Sequence, residues 1–172
     1  MKRTHRLLLA AALAACCLSA ADGPDQIFHD DLLANMAGSW KLTGAIRSRS
    51  AEHSVDARWV LNHQFLQIEE DGGPSYQAIV MVGYDHASER YVAHWMDVYG
   101  GRFSETLGFG VRSGDQIEFV FDYPDGPFHT IFRWLPDKRE WQWLMKAKDL
   151  AAKDPAKRWS DFADVWLAKT GR

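Results

Sequence analysis

Cysteine is nearly absent. Cys16 and Cys17 are the only two in 172 residues, and they are adjacent. The rest of the chain therefore offers neither a disulfide nor a thiolate, which excludes cysteine catalysis and a cysteine-based zinc site there. No Lys/Arg cluster follows the first six residues, so the electrostatic footprint of a nucleic-acid partner is missing. Histidines 29, 53, 63, 86, 94 and 129 show no H-x-x-x-H or H-x-H spacing and give no motif for a metal. No G-x-S-x-G elbow occurs, and Ser75, Ser88 and Ser104 lack the context of a nucleophile. Gly100-Gly101 and Gly108-Phe109-Gly110 are not followed by the helix that a phosphate cradle requires, and read as hairpin and bend glycines. The run Glu69-Glu70-Asp71, ahead of Gly72-Gly73-Pro74, reads as a solvated hairpin end.

No apolar run reaches the roughly 20 residues of a membrane-spanning helix. The first six residues instead carry three fixed positive charges, followed by Leu7 to Ala15, all Leu and Ala. These are the n-region and h-region of an export signal. Leu13-Ala14-Ala15-Cys16 has the form of a lipobox, which would leave Cys16 acylated at the new N-terminus. Ser19-Ala20-Ala21 offers the competing small-x-small pattern of ordinary cleavage. The expected organisation is a signal peptide over 1–15, a tether over 16–25 and one domain over 26–170. Cleavage before Cys16 leaves 157 residues, enough for one well-packed domain. It also lowers Lys+Arg from 20 to 17 against 23 Asp+Glu. An acidic surface of that kind gives no help with anionic lipid, so membrane attachment would rest on the acyl chains alone. The expected location is the bacterial cell envelope, on its periplasmic side, lipid-anchored or otherwise periplasmic or secreted.

What the chain has in quantity is aromatics: 8 Trp, 9 Phe and 5 Tyr. Most should fill a β-structure core and a minority could line a cavity. Gln26 to Met36 reads as one amphipathic helix with Asp25 as N-cap and Ile27, Phe28, Leu32, Leu33 and Met36 at helical spacing, ending at Ala37-Gly38. Such a helix should pack on the domain or plug one end of it. From Gly38 onward the period is two. Strands are expected at 39–48, 55–62, 64–70, 76–84, 90–98, 103–111, 116–123, 128–135, 140–147 and 157–168. Ten short strands with no helices between them predict an all-β antiparallel meander, and closure into a barrel removes the exposed edges.

Three strands announce their inner face. Ile117, Phe119, Phe121 and Tyr123 alternate with Gln116, Glu118 and Asp122. Phe128, Phe132 and Trp134 oppose His129 and Arg133. Trp141, Trp143 and Met145 oppose Glu140, Gln142 and Lys146. Aromatic-in, charged-out is the pattern of a small barrel with an apolar interior.

Gly38-Ser39-Trp40 at the start of the first strand has the G-x-W placement of lipocalin-like (calycin) barrels. With Tyr84-Asp85-His86-Ala87-Ser88-Glu89-Arg90-Tyr91, His94-Trp95-Met96-Asp97-Val98-Tyr99-Gly100-Gly101 and Phe121-Asp122-Tyr123-Pro124-Asp125-Gly126-Pro127-Phe128, the chain resembles the DUF1579 family over roughly residues 34–168. The resemblance implies a calycin-like barrel and supplies no known reaction.

Two residues decide the site, and their strands have an open orientation. On 90–98, His94 shares a face with Val92, Met96 and Val98, opposite Tyr91, Ala93, Trp95 and Asp97. If Val92 and Met96 point inward, His94 is a polar group inside the barrel, able to orient a ligand or hold a haem iron. Otherwise it is a hydrogen-bonded structural histidine. On 103–111, Glu105 lies among Phe103, Leu107 and Phe109. Facing inward, its buried carboxylate needs a partner such as His94. With the strand turned over, Ser104 and Thr106 face in instead.

Three functions follow. The first is a barrel binding a small apolar or amphipathic molecule, lined by Phe119, Phe121, Tyr123, Phe132 and Trp134 and oriented by His94 and Glu105. The second is an enzyme using His94 and Glu105 as an acid–base pair. The third is a filled barrel that docks an envelope partner. Haem aside, no cofactor is called for.

Overall fold

A computed structural model describes residues 27–148, 153–154 and 158–171. Ten antiparallel strands run in sequence order: β1 (Gly38–Ile46), β2 (Arg49–Val60), β3 (Phe65–Asp71), β4 (Gln77–Asp85), β5 (Arg90–Asp97), β6 (Leu107–Ser113), β7 (Gln116–Tyr123), β8 (Gly126–Leu135), β9 (Glu140–Lys148) and β10 (Trp159–Lys169). Each pairs with its neighbour in sequence. β10 closes on β1 through a ladder from Trp40↔Lys169 to Ile46↔Ala163, giving a closed meander barrel with no free edge. All-β patterning and short turns thus produced the expected architecture. Two strands begin four or more residues from the expected position: β2 starts at Arg49, through a two-residue turn with Arg47 and Ser48 at positive φ, and β6 starts only at Leu107.

The N-terminal helix is a single turn, α1 (Asp31–Ala34), rather than the eleven-residue helix expected; Asp25 and Gln26 lie outside the described residues. Asp30 is the cap. Its carboxylate accepts the Leu33 N–H at 2.7 Å, so the helix begins there and residues 27–30 stay outside it. The segment nonetheless plugs one end of the barrel. Phe28, Leu32, Leu33 and Met36 are buried, each worth roughly 2 kcal/mol of apolar transfer before ordering costs. Phe28 stacks on Tyr84 at 5.6 Å and meets Trp59 edge-on at 5.8 Å. The Trp40 indole donates to the Met36 carbonyl at 2.7 Å.

The barrel interior is aromatic, and its middle is tightly filled. Trp40, Phe119, Phe121, Phe132, Trp141 and Trp143 are each under 2% exposed or at that limit. Phe132 stacks on Trp143 at 4.7 Å and meets Phe119 at 5.5 Å. The inward faces expected for β7, β8 and β9 are the observed ones.

β6 is turned inside out. Its inward positions are Gly108 and Gly110, while Leu107, Phe109 and Val111 face solvent at 41%, 41% and 67% exposure. The cause is the neighbouring strand. A Cβ on Gly108 would meet Phe121 Cζ at 2.5 Å, and one on Gly110 would meet Phe119 Cδ1 at 2.7 Å. The large rings of β7 occupy the space that side chains of β6 would otherwise take.

Candidate functional site

The structure resolves both open orientations the same way. On β5, Tyr91 and Ala93 are buried and Trp95 packs against the core, so Val92, His94 and Met96 face outward. His94 is a hydrogen-bonded histidine on the outer surface, its Nε2 2.6 Å from the Ser104 carbonyl oxygen. The nitrogen that would hold a haem iron is thereby engaged. Residues expected to open the sixth strand instead form one turn of helix, α2 (Gly101–Ser104), capped by Glu105. Glu105 is exposed and does not lie among inward apolar residues. Gly100-Gly101 therefore does lead into a helix, against expectation, but a single turn sums too little dipole to hold an anion. His94 and Glu105 both lie outside the barrel and form no interior pair.

The aromatic residues named from sequence divide by depth. Phe119, Phe121 and Phe132 are 0%, 2% and 1% exposed and act as core. Trp134 packs on Trp40 and Trp141 toward the plugged end. Tyr123 alone stands at the opposite end, stacked on Phe121 at 5.9 Å. That end, where β1 finishes and β2 begins, carries α2 at its rim and, among the described residues, no other helix; it forms the mouth.

The mouth holds the interior His/Glu pair, and it is a different one. His53 Nδ1 lies 2.6 Å from Glu70 Oε1, with the side chains 13% and 4% exposed. Hydrogen bonding to Glu70 raises the His53 pKa above the free imidazole value, against the opposing effect of burial, with Asp71 adding a smaller attraction. Tyr76 stacks on the His53 ring at 5.8 Å and its hydroxyl accepts from the Trp95 indole at 3.2 Å. Gly72 makes room: a Cβ there would meet His53 Nε2 at 2.6 Å. Burial pushes the Tyr76 phenol well above its ordinary range, with Glu70 and Asp97 adding to it. Burial also pushes Tyr123 up to about 12, with Asp97 again contributing. Both phenols are therefore neutral hydrogen-bonding groups near pH 7.

A second arc of rings completes the rim. Phe103 of α2 meets Tyr123 edge-on at 5.8 Å, Tyr123 meets Phe128 at 6.3 Å, and Phe128 meets Phe162 at 5.1 Å. Arg47 and Arg102 lie over the Phe162 and Phe103 rings at 4.9 and 5.4 Å. The mouth thus has an aromatic wall, a buried ion pair, two neutral phenols and cations at the edge. Inside the barrel, Thr130 Oγ1 on β8 and the Nε1 atoms of Trp141 and Trp143 on β9 are buried without a hydrogen-bond partner among the described residues, Trp141 toward the plugged end.

His53 and Glu70 were legible in principle. His53 continues the inward alternation of Val55 and Ala57, and Glu70 that of Leu66 and Ile68. Reading Glu69-Glu70-Asp71 as one solvated run concealed this: Asp71 is exposed and Glu69 is partly so, but Glu70 is buried.

At the plugged end, a surface groove of about 500 Å³ is lined by Phe28, Asp30, Tyr84, His86, Tyr91 and Arg112 among others. Its charges already serve the plug. Arg112 pairs with Asp31 at 2.5 Å and lies 3.6 Å from Asp30, whose second oxygen accepts the Tyr91 hydroxyl.

No curated protein matches the chain. A family model does, over residues 28–134, which take in the plug, the first seven strands and most of the eighth. That match covers more than half of the chain, and with the closed meander barrel it shows that the protein belongs to the DUF1579 family, whose members are described as proteins of unknown function.

Proposed function

We propose that this chain is an exported, lipid-anchored envelope barrel that holds a small amphipathic molecule at its mouth. The observation that carries the reading is the mouth's composition: half-buried Tyr76, Trp95, Phe103, Tyr123 and Phe128 surround the buried His53–Glu70 pair, while the other end is plugged. Rings bury the apolar body of a ligand at about 25 cal/mol per Å² before ordering costs. Neutral phenols and the ion pair orient its polar group. Because Phe119, Phe121 and Phe132 fill the middle of the barrel, the bound molecule is small and sits near the rim.

Export and anchoring rest on the sequence: the basic n-region, the Leu/Ala run and the lipobox-like Leu13-Ala14-Ala15-Cys16. An acylated Cys16 would be followed by about nine residues up to Asp25, a reach of at most ~30 Å. The barrel would then stay near a bilayer, where apolar molecules concentrate, with its plugged end next to the tether. A role with nucleic acid has no support in the charge pattern.

The test is binding of 1-anilinonaphthalene-8-sulfonate, followed by its fluorescence, with native mass spectrometry of the freshly isolated protein for a retained molecule. Substituting Trp95 or Tyr123 with Ala should weaken probe binding at least tenfold, while Trp134→Ala at the plugged end should leave it unchanged. Equal loss in all three, or none in the mouth variants, would overturn the reading.

A further inference from the structure

The outer face of β5, β6 and β7 carries a pattern that the mouth does not use. Its centre line is the apolar row Leu107, Phe109 and Val111, at 41%, 41% and 67% exposure. Val92 and Val120 sit on either side of Phe109 in the paired register, and Ile79 on β4 extends the apolar area at 42% exposure. Three consecutive outward positions of one strand are large and apolar while Gly108 and Gly110 are two of its inward positions, the third being Arg112 at the plug. The inversion of β6 thus leaves on the outside what a barrel strand normally buries.

The charges at the flanks differ in sign. On the β5 side Arg90 follows the paired Tyr91–Gly110 in line with Val111, and its guanidinium lies 4.4 Å from the Phe109 ring centre. On the β7 side Glu118 pairs directly with Val111 and has one carboxylate oxygen 2.5 Å from His129 Nδ1, its side chain 41% exposed, and exposed Asp122 lies two positions further along the same face. Next to the apolar row the order is therefore Arg90, apolar residues, Glu118, with Asp85 beyond Arg90 and His129 beyond Glu118. A rotation of 180° about an axis parallel to β6, lying in the contact plane, sets β6 against β6 and brings β5 of one copy over β7 of the other. Heights along the strand are kept, so Arg90 of each copy faces Glu118 of the other. The surface is its own electrostatic complement. A lipid surface has no use for Glu118 and Asp122, which anionic headgroups would repel.

We propose that this face forms a two-fold dimer of the chain, with β6 stacked on β6 and two reciprocal Arg90–Glu118 contacts. On a closed ten-stranded barrel the face that can oppose a second copy is β5 to β7, about 15 Å wide, and β6 is about 23 Å long, which gives on the order of 700 Å² buried in the pair. That area belongs to weak, transient interfaces, so the dimer dissociates at about 100 micromolar.

Sedimentation velocity of the full chain carrying Cys16→Ala, so that no acyl group drives association, should show a concentration-dependent monomer–dimer equilibrium. Val111→Glu, at an exposed position, should raise the dissociation constant more than tenfold with an unchanged circular dichroism spectrum. Arg90→Glu and Glu118→Arg should each weaken self-association by about tenfold. An equimolar mixture of those two variants should restore it, because both contacts of the heterodimer become Glu–Arg pairs again. A monomer at every concentration, a dimer indifferent to Val111→Glu, or a mixture no tighter than its components overturns the proposal. So does a monomer that co-sediments with phosphatidylcholine–phosphatidylglycerol vesicles in a Val111-dependent way, which would assign the face to lipid.

Discussion

His53 and Glu70, seventeen residues apart in sequence, share a hydrogen bond of 2.6 Å inside a barrel whose interior is otherwise almost wholly hydrocarbon and aromatic ring. They come from adjacent strands β2 and β3, and Tyr76 closes over the histidine from the next connection. A buried pair of this kind is expensive to break from one side, since the partner left behind has lost both water and its counter-charge.

Stability should therefore follow His53. Its folded pKa lies above the free value of 6.5, so its contribution is fully present below that value and is lost as pH rises through the folded pKa. Urea midpoints between pH 5 and pH 9 should fall toward the alkaline side in the native chain. In Glu70→Gln that particular decline should disappear. An identical slope in both proteins would remove the pair as its source.

Glu70→Ala should cost about 3 kcal/mol, because it strands His53 in a site where the side chain is only 13% exposed. Replacing both residues, His53→Leu with Glu70→Leu, should recover most of that loss. Chemical denaturation of the four proteins in the cycle gives the coupling directly.

Gly110→Ala should destabilise by about 2 kcal/mol, since the new methyl meets Phe119 Cδ1 at 2.7 Å inside a packed core. Combining it with Phe119→Leu, which frees that volume, should be milder than the sum of the two. A thermal melt at which Gly110→Ala matches the native chain would contradict the account of why β6 is inverted.

The plug depends on Asp30. Its carboxylate caps Leu33, accepts the Tyr91 hydroxyl and lies 3.6 Å from Arg112. Asp30→Ala should cost at least about 2 kcal/mol. It should also speed hydrogen exchange at Leu33 and Ala34 ahead of the strands. Uniform exchange across the barrel would mean that the segment does not act as a separable plug.

Membrane attachment has its own check. Wild-type chain expressed in a Gram-negative host should partition with membranes, and Cys16→Ala should shift to the soluble envelope fraction. Retention of the variant on membranes would remove the lipid anchor and leave export standing.

The sequence by itself determined the meander. Period-two alternation from Trp40 onward, turn residues at short intervals and the lack of intervening helical patterns are local properties, and they placed all ten strands and the inward faces of β7, β8 and β9. Where the two faces of a strand differ plainly in polarity, as Phe119 and Phe121 differ from Glu118 and Asp122, alternation alone gives orientation. On β5 and β6 the two faces do not differ in that way: Val92 and Met96 compete with Tyr91 and Trp95, and Leu107 and Phe109 compete with two glycines. Only the tertiary structure decided these, because the outcome turned on volume rather than polarity. The rings of Phe119 and Phe121 fill the interior beside β6, so the glycines face in and the large side chains face out. The same decision sent His94 to the surface with Ser104, and the buried His/Glu pair is His53 with Glu70, not the expected His94 with Glu105.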